Sequence, residues 1–592
     1  MYWYNPIFNK VPEGPSQKNK VVTYTLKIAK QIGSTSAIFN CCKDYEDTPM
    51  RVPMKAVEFD NYIEYTASVK FETAGLYWYC FEVFQGEHQF FLQKTPSFDV
   101  EPTGYAENKF QQLVYNTASK TSDSYKGGVM YHIFVDRFCK EGKVVPHTDM
   151  VLRSDWGGDM RKNSDDFLII NKECFGGNLK GIEKKLDYIK SLNVSTIYLS
   201  PIFEANSYHK YDAADYSKVD SMFGTEQDLC SLIKKAKAKD IRIILDGAFN
   251  HTGDDSIYFN KTGRYKTVGA YQSKKSPYYN WYSFQEFPEK YDAWWGIGLM
   301  PQIKKGSPHF TKFIAGKDGI IEKYMKLGIF GFRLDVADEL AENTLSAICK
   351  AARGVKPDCL MLGEVWEDAS NKIAYDERKK YFLGGQLDSV MNYPMKDAII
   401  KYVTTGNPED IKNVLYMIKD HYPKDIQDNL MNILGSHDTP RILSILQKAT
   451  NNDPNISKQL LKIATLIQYT VMGVPCLFYG DEQGVLGDEA PFCRTCFPWG
   501  KENGALKNWF EMLGNLRKHI VFQKGKLNVL MCEDGVLGYE RVWGQRKIVI
   551  YVNATAEEKT LELPEKFTNY ETTKQTKLKT KLYPYKYLIL VK

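Results

Sequence analysis

The spacing of apolar and polar positions changes twice along the chain. Between about residues 18 and 101, apolar residues recur at every second position in short segments rich in Tyr, Thr and Val. This period is typical of half-buried antiparallel strands, and breaks such as TAG and QGE separate the segments. The pattern predicts an N-terminal β-sandwich domain (residues 1–120), with strands in VVTYTLKIA, SAIFNCC, YIEYTASVKFE, GLYWYCFEVF and HQFFLQK.

Residues 121–515 show a different pattern, in which short apolar strands alternate with segments that are apolar at i, i+3 and i+4. The helical segments include NLKGIEKKLDYIKSL, EQDLCSLIKKAKAK, AENTLSAICKAAR and QLLKIATLIQYTVM. The eight predicted strands are VMYHIFV, STIYLSPI, IRIILDGAF, IFGFRLDV, CLMLGEVW, LDSVMNYP, LMNILGSHD and VPCLFYGDE. Strands of this kind are typical of a parallel sheet covered by helices on both sides. Eight units predict an α/β fold, a (β/α)8 TIM barrel, and a doubly wound open sheet is the alternative.

Two further segments complete the predicted organisation. After the third strand, residues 252–310 are rich in Tyr, Trp, Gly and Pro without clear periodicity, which is typical of a functional loop or small subdomain. From residue 516 to 592 the two-residue period returns, in segments such as VLGYERVW, KIVIYVNA and YKYLILVK. This pattern predicts a small C-terminal β-sandwich.

Composition and charge exclude several classes of protein. The 592 residues carry a net charge of +6 without a dense basic tract, so we expect no nucleic-acid partner. No apolar run approaches the ~20 residues that span a bilayer, and the N-terminus lacks the pattern of a signal peptide, so we expect a cytoplasmic protein without a membrane partner. The 12 cysteines have no framework spacing and are expected to be free thiols, including the close pair Cys493 and Cys496.

Charged residues stand where several predicted strands end. The third strand ends in DGAFNH with Asp246, Asn250 and His251, the fourth in GFRLDVADE with Arg333 and Asp335, and the fifth in Glu364. The seventh ends in GSHDT, with His437 and Asp438. The carboxyl ends of barrel strands share the face on which active sites form. We therefore expect these side chains to converge.

Each of these residues also has a structural interpretation. A single Asp after a strand is often a helix N-cap, and Asp338 and Glu339 fit the first turn of a helix. Arg333 and Asp335 could form a structural ion pair. Coincidence is a poor account of four acidic strand ends, so the functional interpretation is preferred.

Convergent carboxylates suit either divalent-metal binding or glycoside hydrolysis. Arg333 argues against metal binding, because a cation competes with a metal for the same oxygens. Positions i and i+2 of a strand face the same side, so Arg333 is expected to lower the pKa of Asp335, as a carboxylate nucleophile requires. Glu364 follows an apolar strand with Trp366 close by, which predicts a raised pKa and a protonated acid. Such a pair is typical of retaining glycosidases.

The motifs DGAFNH, GFRLDVADE, GEVW and GSHDT resemble, in order, the four signature regions of the α-amylase family of glycoside hydrolases. The likeness extends over roughly residues 128–520 through FGGNLKGI, SYHKYDAADY, MNYP and GVPCLFYGDE. The resemblance implies that Asp335 is the nucleophile, Glu364 the general acid and base, and Asp438 the carboxylate that stabilises the transition state. It places Arg333, His209, Tyr211, His251, His437 and Trp366 against the sugar, with Asp246 and Asn250 in support.

The sandwich before the barrel, SYHKYDAADY and GEVW are most similar to the neopullulanase, cyclomaltodextrinase and maltogenic amylase group. This implies cleavage of α-1,4 links in maltodextrins, cyclodextrins or pullulan through a covalent glucosyl-Asp intermediate, with an N-terminal domain that binds starch or mediates a homodimer. A 4-α-glucanotransferase of the same mechanism and a non-catalytic glucan-binding protein are the alternatives. No cofactor is required, and a calcium site is not expected because the segment after DRF (residues 136–138) lacks the Asn- and Asp-rich loop that often binds calcium in this family, although Asn178 could be one ligand.

Overall fold

The computed structural model describes residues 1–123, 125–160 and 166–592. The chain forms two compact units. The first contains Met1–Lys120, Glu367–Asp388 and Glu409–Asp428, and the second contains Thr121–Trp366, Ser389–Pro408 and Asn429–Lys592. Two segments that the sequence pattern assigned to the barrel, Glu367–Asp388 and Glu409–Asp428, therefore belong to the first unit.

The first unit is built around two mainly antiparallel sheets with an aromatic core. Along Val21–Ala29 every second residue is buried, so one face of the strand packs inward. Tyr24, Phe39 and Tyr79 meet in that core, with ring centroids 4.3–5.2 Å apart. The strands of the two sheets are Tyr2–Trp3, Lys10–Val11, Ser16–Gln17, Val21–Ala29, Ser36–Lys43, Met50–Pro53, Lys55–Glu58, Tyr62–Lys70, Gly75–Gln85, His88–Lys94, Val100–Thr103 and Phe110–Tyr115, and a separate short hairpin pairs Ile373–Ala374 with Glu377–Arg378.

A helix from the later part of the chain packs within this first unit. The helix Glu409–His421 buries Asp420, which forms an ion pair with the equally buried Lys10. A buried charge requires such a partner, because its transfer from water is costly. The sequence spacing of 410 residues gives no sign of this pair.

The second unit contains a barrel of eight parallel strands, numbered here β1 to β8. They are Met130–Ile133 (β1), Thr196–Leu199 (β2), Arg242–Gly247 (β3), Gly331–Leu334 (β4), Leu360–Gly363 (β5), Ser389–Val390 (β6), Met431–Asn432 (β7) and Val474–Phe478 (β8). Each predicted strand is present, and the sheet runs in the order β6-β5-β4-β3-β2-β1-β8-β7. A parallel bridge between Met391 and Met431 closes the ring, which excludes the doubly wound sheet.

Helices lie between the strands, and the local sequence explains where the helix Glu226–Lys237 begins. Thr225 begins the helix Glu226–Lys237 with a reciprocal capping box, in which Thr225 Oγ1 accepts from Asp228 N and Asp228 accepts from Thr225 N. Among the described residues, no helix is both long enough and apolar enough to cross a bilayer. The helix predicted near residue 185 is split into two shorter helices, Leu179–Lys184 and Leu186–Ser191. The other α-helices of eight or more residues in this unit are Pro308–Ala315, Ile320–Leu327, Glu342–Val355, Tyr393–Thr405, Ile442–Ala449, Pro454–Thr470 and Gly504–Leu516.

The insertion after β3 has little regular structure. It contains one short hairpin, Phe284–Glu286 with Lys290–Tyr291, and single helical turns at Tyr279–Trp281 and Trp294–Gly296. The C-terminal segment forms a five-stranded and a two-stranded sheet around a small apolar core. Its strands are Lys526–Glu533, Val536–Trp543, Arg546–Asn553, Lys559–Glu562, Thr568–Asn569, Lys579–Leu582 and Lys586–Val591.

A buried carboxyl group just after β8 makes the stability of this unit depend on pH. Glu482 is fully buried, and burial raises its pKa to about 7, although hydrogen bonds from Tyr131 (2.6 Å) and Tyr188 (3.0 Å) oppose the rise. The folded pKa is above the unfolded value of about 4.3, so the stability from this group is complete below about pH 4 and is lost as the pH rises through 7.

We therefore expect Glu482→Gln to gain stability relative to the wild type as the pH rises. From pH 5 to pH 8 the free energy of unfolding of the variant, relative to that of the wild type, should rise by roughly 2–3 kcal/mol, because the amide has no charge to bury. Calorimetric unfolding midpoints of both proteins at the two pH values measure it. A difference that does not change with pH would contradict the prediction.

Candidate active site

The carboxyl ends of β3, β4 and β5 bring three acidic residues around one arginine. In the parallel ladder Asp246 of β3 pairs with Arg333 of β4, and Asp335 follows β4 while Glu364 follows β5. Arg333 Nη1 donates to both oxygens of Asp246 at 2.9 Å and to Asp335 Oδ1 at 2.6 Å. Arg333 Nη2 lies 2.8 Å from Glu364 Oε2, an ion pair without hydrogen-bond alignment. The predicted convergence is present.

The net shift in the pKa of Asp335 is opposite in direction to the one expected from the sequence. Burial raises the pKa of Asp335 well above its ordinary value, Arg333 opposes the rise, and the Glu364 carboxylate adds to it. Arg333 lowers the pKa of Asp335, as predicted, but burial outweighs this effect and the net shift is upward. The neighbouring carboxylates of Glu364 and Asp246 also repel a charge on Asp335, which opposes the effect of Arg333.

The surroundings of Glu364 also differ from the apolar environment that its sequence predicted. Trp366 Nε1 donates to Glu364 Oε1 at 2.9 Å, and the backbone N–H of Val336 donates to Oε2 at 2.8 Å. Trp366 is close, as expected, but the polar edge of its indole meets the carboxyl group. Its ring stacks on Tyr393 at 4.0 Å and remains 46% exposed. The Trp366 ring face is thus open to a ligand, as an aromatic platform requires.

Asp438 is held ionised on a neighbouring side of the site. Burial alone would raise the pKa of Asp438, but His437 and Arg494 outweigh burial and hold it below its usual range. His437 Nε2 lies 2.9 Å from Asp438 Oδ2, and Arg494 Nη2 lies 3.3 Å from Oδ1. Arg494 also donates from Nε to the carbonyl of His437 at 2.8 Å. The carboxylate therefore keeps its charge inside the cluster.

Tyr211 connects the two groups of acidic residues. Its hydroxyl donates to Asp246 Oδ2 at 2.8 Å and lies 2.6 Å from His437 Nε2. The Tyr211 ring is nearly parallel to the His437 ring, with an angle of 9° and centroids 5.3 Å apart. Tyr198 of β2 also donates to Asp246 Oδ2, at 2.5 Å. Asp246 is therefore fully engaged by protein donors, which fits its predicted supporting role.

His209 is arranged as a hydrogen-bond donor. Burial, and then the positive charge of Arg494, lower the pKa of His209 well below its ordinary value, so the ring is neutral at neutral pH. The backbone N–H of Tyr211 donates to His209 Nδ1 at 3.1 Å. A neutral imidazole that accepts at Nδ1 carries its proton on Nε2. His209 Nε2–H is thus a donor of fixed tautomer, as contact with a sugar hydroxyl requires.

His251 is placed differently from the prediction of a direct contact with the sugar. Its Nδ1 lies 3.0 Å from Asn250 Oδ1 and its Nε2 lies 3.1 Å from the carbonyl of Tyr211. Burial lowers the pKa of His251 to about 4, so at neutral pH the ring has one proton for these two acceptors. Asn250 in turn donates to Glu339 Oε2 at 3.0 Å. Both residues therefore support neighbouring groups.

The residues that could hold a metal ion do not fit calcium. Asn178 caps a helix, with Oδ1 accepting from Gly181 N and Nδ2 donating to the carbonyl of Glu141, each at 2.8 Å. Within the described part of the chain, His147, Glu204 and Asp220 offer ligand atoms within 4.8 Å of one another. Lys210 Nζ already lies 2.7 Å from Asp220 Oδ2. Calcium takes about six to eight oxygens, so we derive no step through a metal.

Sequence reasoning missed three residues of the site. Arg494 stands between the two cysteines of CRTC, where attention went to the thiols, although its position after β8 is itself a signal. Tyr198 lies one residue before the end of β2, and no charged residue stands next to it in the sequence. Glu339 was assigned to a helix turn, and it does close the single turn Ala337–Glu339, but its carboxylate also holds Asn250 and Trp295.

Comparison with known sequences identifies relatives along most of the chain. A sequence model of the alpha-amylase catalytic domain matches residues 132–529. The amylopullulanase of Thermoanaerobacterium saccharolyticum is 35% identical over 601 residues, covering 91% of this chain and 46% of that protein. The cyclomaltodextrinase of Geobacillus thermopakistaniensis (strain MAS1) is 31% identical over 455 residues, covering 75% of this chain and 71% of that protein. The chain spans about half or less of the length of the amylopullulanases it matches.

Solved structures agree on the fold. A cyclomaltodextrinase structure superposes with a TM-score of 0.70 at 24% identity, covering 99% of this chain and 100% of the other. The type III pullulan hydrolase from Thermococcus kodakarensis gives 0.71 at 23% identity, covering 100% of both chains. These two likenesses support the predicted TIM barrel with flanking β domains. The matched catalytic domain and the relative at 31% identity lead to one conclusion: the chain belongs to the α-amylase family of glycoside hydrolases.

Proposed function

We propose that the protein is a retaining hydrolase of α-1,4-glucans. The observation that carries the proposal is the contact of one buried guanidinium, that of Arg333, with Asp335 and Glu364 at 2.6 and 2.8 Å. A shared guanidinium favours the carboxyl separation of about 5 Å found in retaining glycosidases over the 6.5–9.5 Å or so of inverting ones. The names of the relatives, amylopullulanase and cyclomaltodextrinase, support an α-glucan as the substrate.

In the first step the ionised form of Asp335 attacks the anomeric carbon, while the protonated form of Glu364 gives its proton to the leaving oxygen. The glycosidic C–O bond breaks as the C–O bond to Asp335 forms. Arg333 holds Asp335 Oδ1, which leaves Oδ2 as the attacking atom. In the second step Glu364 takes a proton from water, whose oxygen displaces Asp335. The ionised Asp438 stabilises the positive charge that develops on the sugar in both steps.

Tyr211, His209 and His437 would bind the sugar whose bond is cleaved. His209 offers Nε2–H of a neutral ring, as its bond from Tyr211 N requires. Tyr211 is held by Asp246 and lies parallel to His437, so its ring has a fixed orientation. A fixed donor and a fixed ring lower the entropy lost on binding.

A product time course with maltoheptaose as the only substrate tests the reaction. We expect shorter maltodextrins alone, because water resolves the covalent intermediate. Accumulation of products longer than seven units would favour the 4-α-glucanotransferase, in which a sugar hydroxyl replaces water. An unchanged substrate with measurable binding would favour a non-catalytic glucan-binding protein.

Rates of cleavage of cyclodextrins and of pullulan, compared with the rate for maltoheptaose, then show which glucan is preferred.

The cytoplasmic location and a homodimer through the N-terminal sandwich stay predictions from the sequence and the resemblance. Light scattering at several protein concentrations measures the oligomeric state.

A further inference from the structure

Three rings form a stack that leads from the buried site to the surface. His251 is buried, and the ring of Trp294 lies over it at 5.1 Å with an angle of 20°. Trp295 lies on Trp294 at 5.2 Å with an angle of 25°. Trp295 is 78% exposed, the highest value among the exposed large apolar side chains of the described residues. The stack therefore ends in an indole that presents most of its surface to solvent.

The exposed indole is held in place on its polar side. Trp295 Nε1 donates to Glu339 Oε1 at 3.0 Å, and Glu339 Oε2 accepts from Asn250 Nδ2 at 3.0 Å. Trp366 has the same arrangement, with its Nε1 bonded to Glu364. In both cases a carboxylate satisfies the indole N–H, and the apolar ring face is left to make contacts. Such a face fits the C–H surface of a sugar ring.

The backbone of Trp295 is also in an unusual conformation. Its φ of 49° lies in the left-handed region, which bulky residues rarely adopt. Gly296 follows, with a φ of 77° and nothing close to its Cα where a side chain would stand. Strained residues persist where the surrounding contacts hold them, and they cluster at binding sites. An exposed Trp held in this way is not explained by packing.

The side of the site on which Trp295 lies follows from its contacts. Glu339 closes the turn that follows Asp335, and that turn is joined to Glu364 by Val336 N to Oε2 at 2.8 Å and Ala337 N to the Glu364 carbonyl at 3.3 Å. Glu364 protonates the leaving oxygen, so groups around it face the leaving part of the substrate. Asp438 and Arg494 lie on another side, with His437.

We propose that Trp295 is a sugar-stacking platform for the leaving part of a glucan chain, beyond the contact made by Trp366. It is a specificity-determining residue that favours long chains, because only a leaving group of more than one sugar reaches it. This inference rests on the proposed function for the roles of Asp335 and Glu364. The exposed indole itself is independent of which reaction follows.

Substitution of Trp295 tests the platform through its dependence on chain length. We expect Trp295→Ala to lower kcat/KM about tenfold for maltoheptaose, mainly through KM, since aromatic stacking contributes on that scale. For p-nitrophenyl α-maltoside, whose leaving group is a single small ring, the loss should be at least several-fold smaller. Trp295→Phe keeps a ring without the N–H and should recover most of the loss. Trp543→Ala, which removes a 48% exposed Trp from the C-terminal sandwich, is the matched control.

A binding measurement keeps this inference separate from the proposed reaction. In the Asp335→Asn background, Trp295→Ala should weaken the calorimetric affinity for maltoheptaose about tenfold, whether or not the wild type cleaves the sugar. Equal kinetic losses on both substrates would overturn the platform in favour of a structural role. Unchanged affinity, or no measurable binding by Asp335→Asn, would overturn it as well.

Discussion

Asp335→Asn is expected to lower kcat for maltoheptaose by about 10⁴-fold or more, because an amide cannot form the glycosyl ester. The side chain keeps its shape and its oxygen can still accept from Arg333 Nη1. Burial already raises the pKa of Asp335, so loss of this charge should not lower stability. Initial rates with maltoheptaose measure the loss of kcat, and the calorimetric unfolding midpoint measures the stability of the variant.

Asp358→Asn is a matched control for that variant. Asp358 precedes β5 at the opposite end of the barrel and forms a half-exposed pair with Lys356. Its substitution should leave turnover within about twofold of the wild type, because surface pairs contribute little. Turnover retained in Asp335→Asn would show that another group is the nucleophile. A large fall in its unfolding midpoint would show that the loss of activity reflects damage to the fold.

Arg333→Met is expected to destabilise the second unit by about 3–5 kcal/mol at neutral pH, and to abolish turnover. The substitution removes the cation that contacts Asp246, Asp335 and Glu364, and leaves the buried carboxylates to repel one another. Arg333 opposes the rise that burial causes in the pKa of Asp335, so without Arg333 this pKa is raised further above its unfolded value. Stability is then highest at low pH and is lost as the pH rises through that pKa.

Unfolding midpoints at pH 5 and pH 8 measure this effect. The deficit of Arg333→Met relative to the wild type should be larger at pH 8. Arg546→Met, at an exposed strand end of the C-terminal sandwich, should show no such change between the two pH values. A deficit that is equal at both pH values would mean that Arg333 acts through packing alone.

The sequence was sufficient for the barrel because its signals are local. Each strand is a short apolar run and each following helix repeats its apolar residues at three or four positions, so period alone separates them. The order of the strands follows from right-handed connections between neighbours. For the same reason the positions of Asp246, Arg333, Glu364 and Asp438 at strand ends predict that they lie on one face of the barrel.

The electrostatics of the site could not be obtained in this way. Arg333 and Asp335 are two residues apart, which predicted an ion pair between these two residues alone and a lowered pKa of Asp335. The structure shows that the same guanidinium also contacts Asp246 from β3 and Glu364 from β5, and that all of them are buried. The pKa of a side chain depends on its burial and on every charge within several ångström. The spacing of two residues along the sequence indicates neither of these.

The sequence by itself determined the fold class, the face of the barrel that carries the chemistry and the identity of the acidic residues, because these depend on local periodicity and on ordered motifs. Only the tertiary structure decided how those residues share one cation, that His251 meets two protein oxygens, and that Glu339 holds the exposed Trp295. Among these contacts, His251 meets Tyr211 across 40 positions of the chain, Trp295 meets Glu339 across 44 and Arg333 meets Asp246 across 87. They arise because parallel strands bring distant segments to one edge, where side-chain geometry and burial set the chemistry.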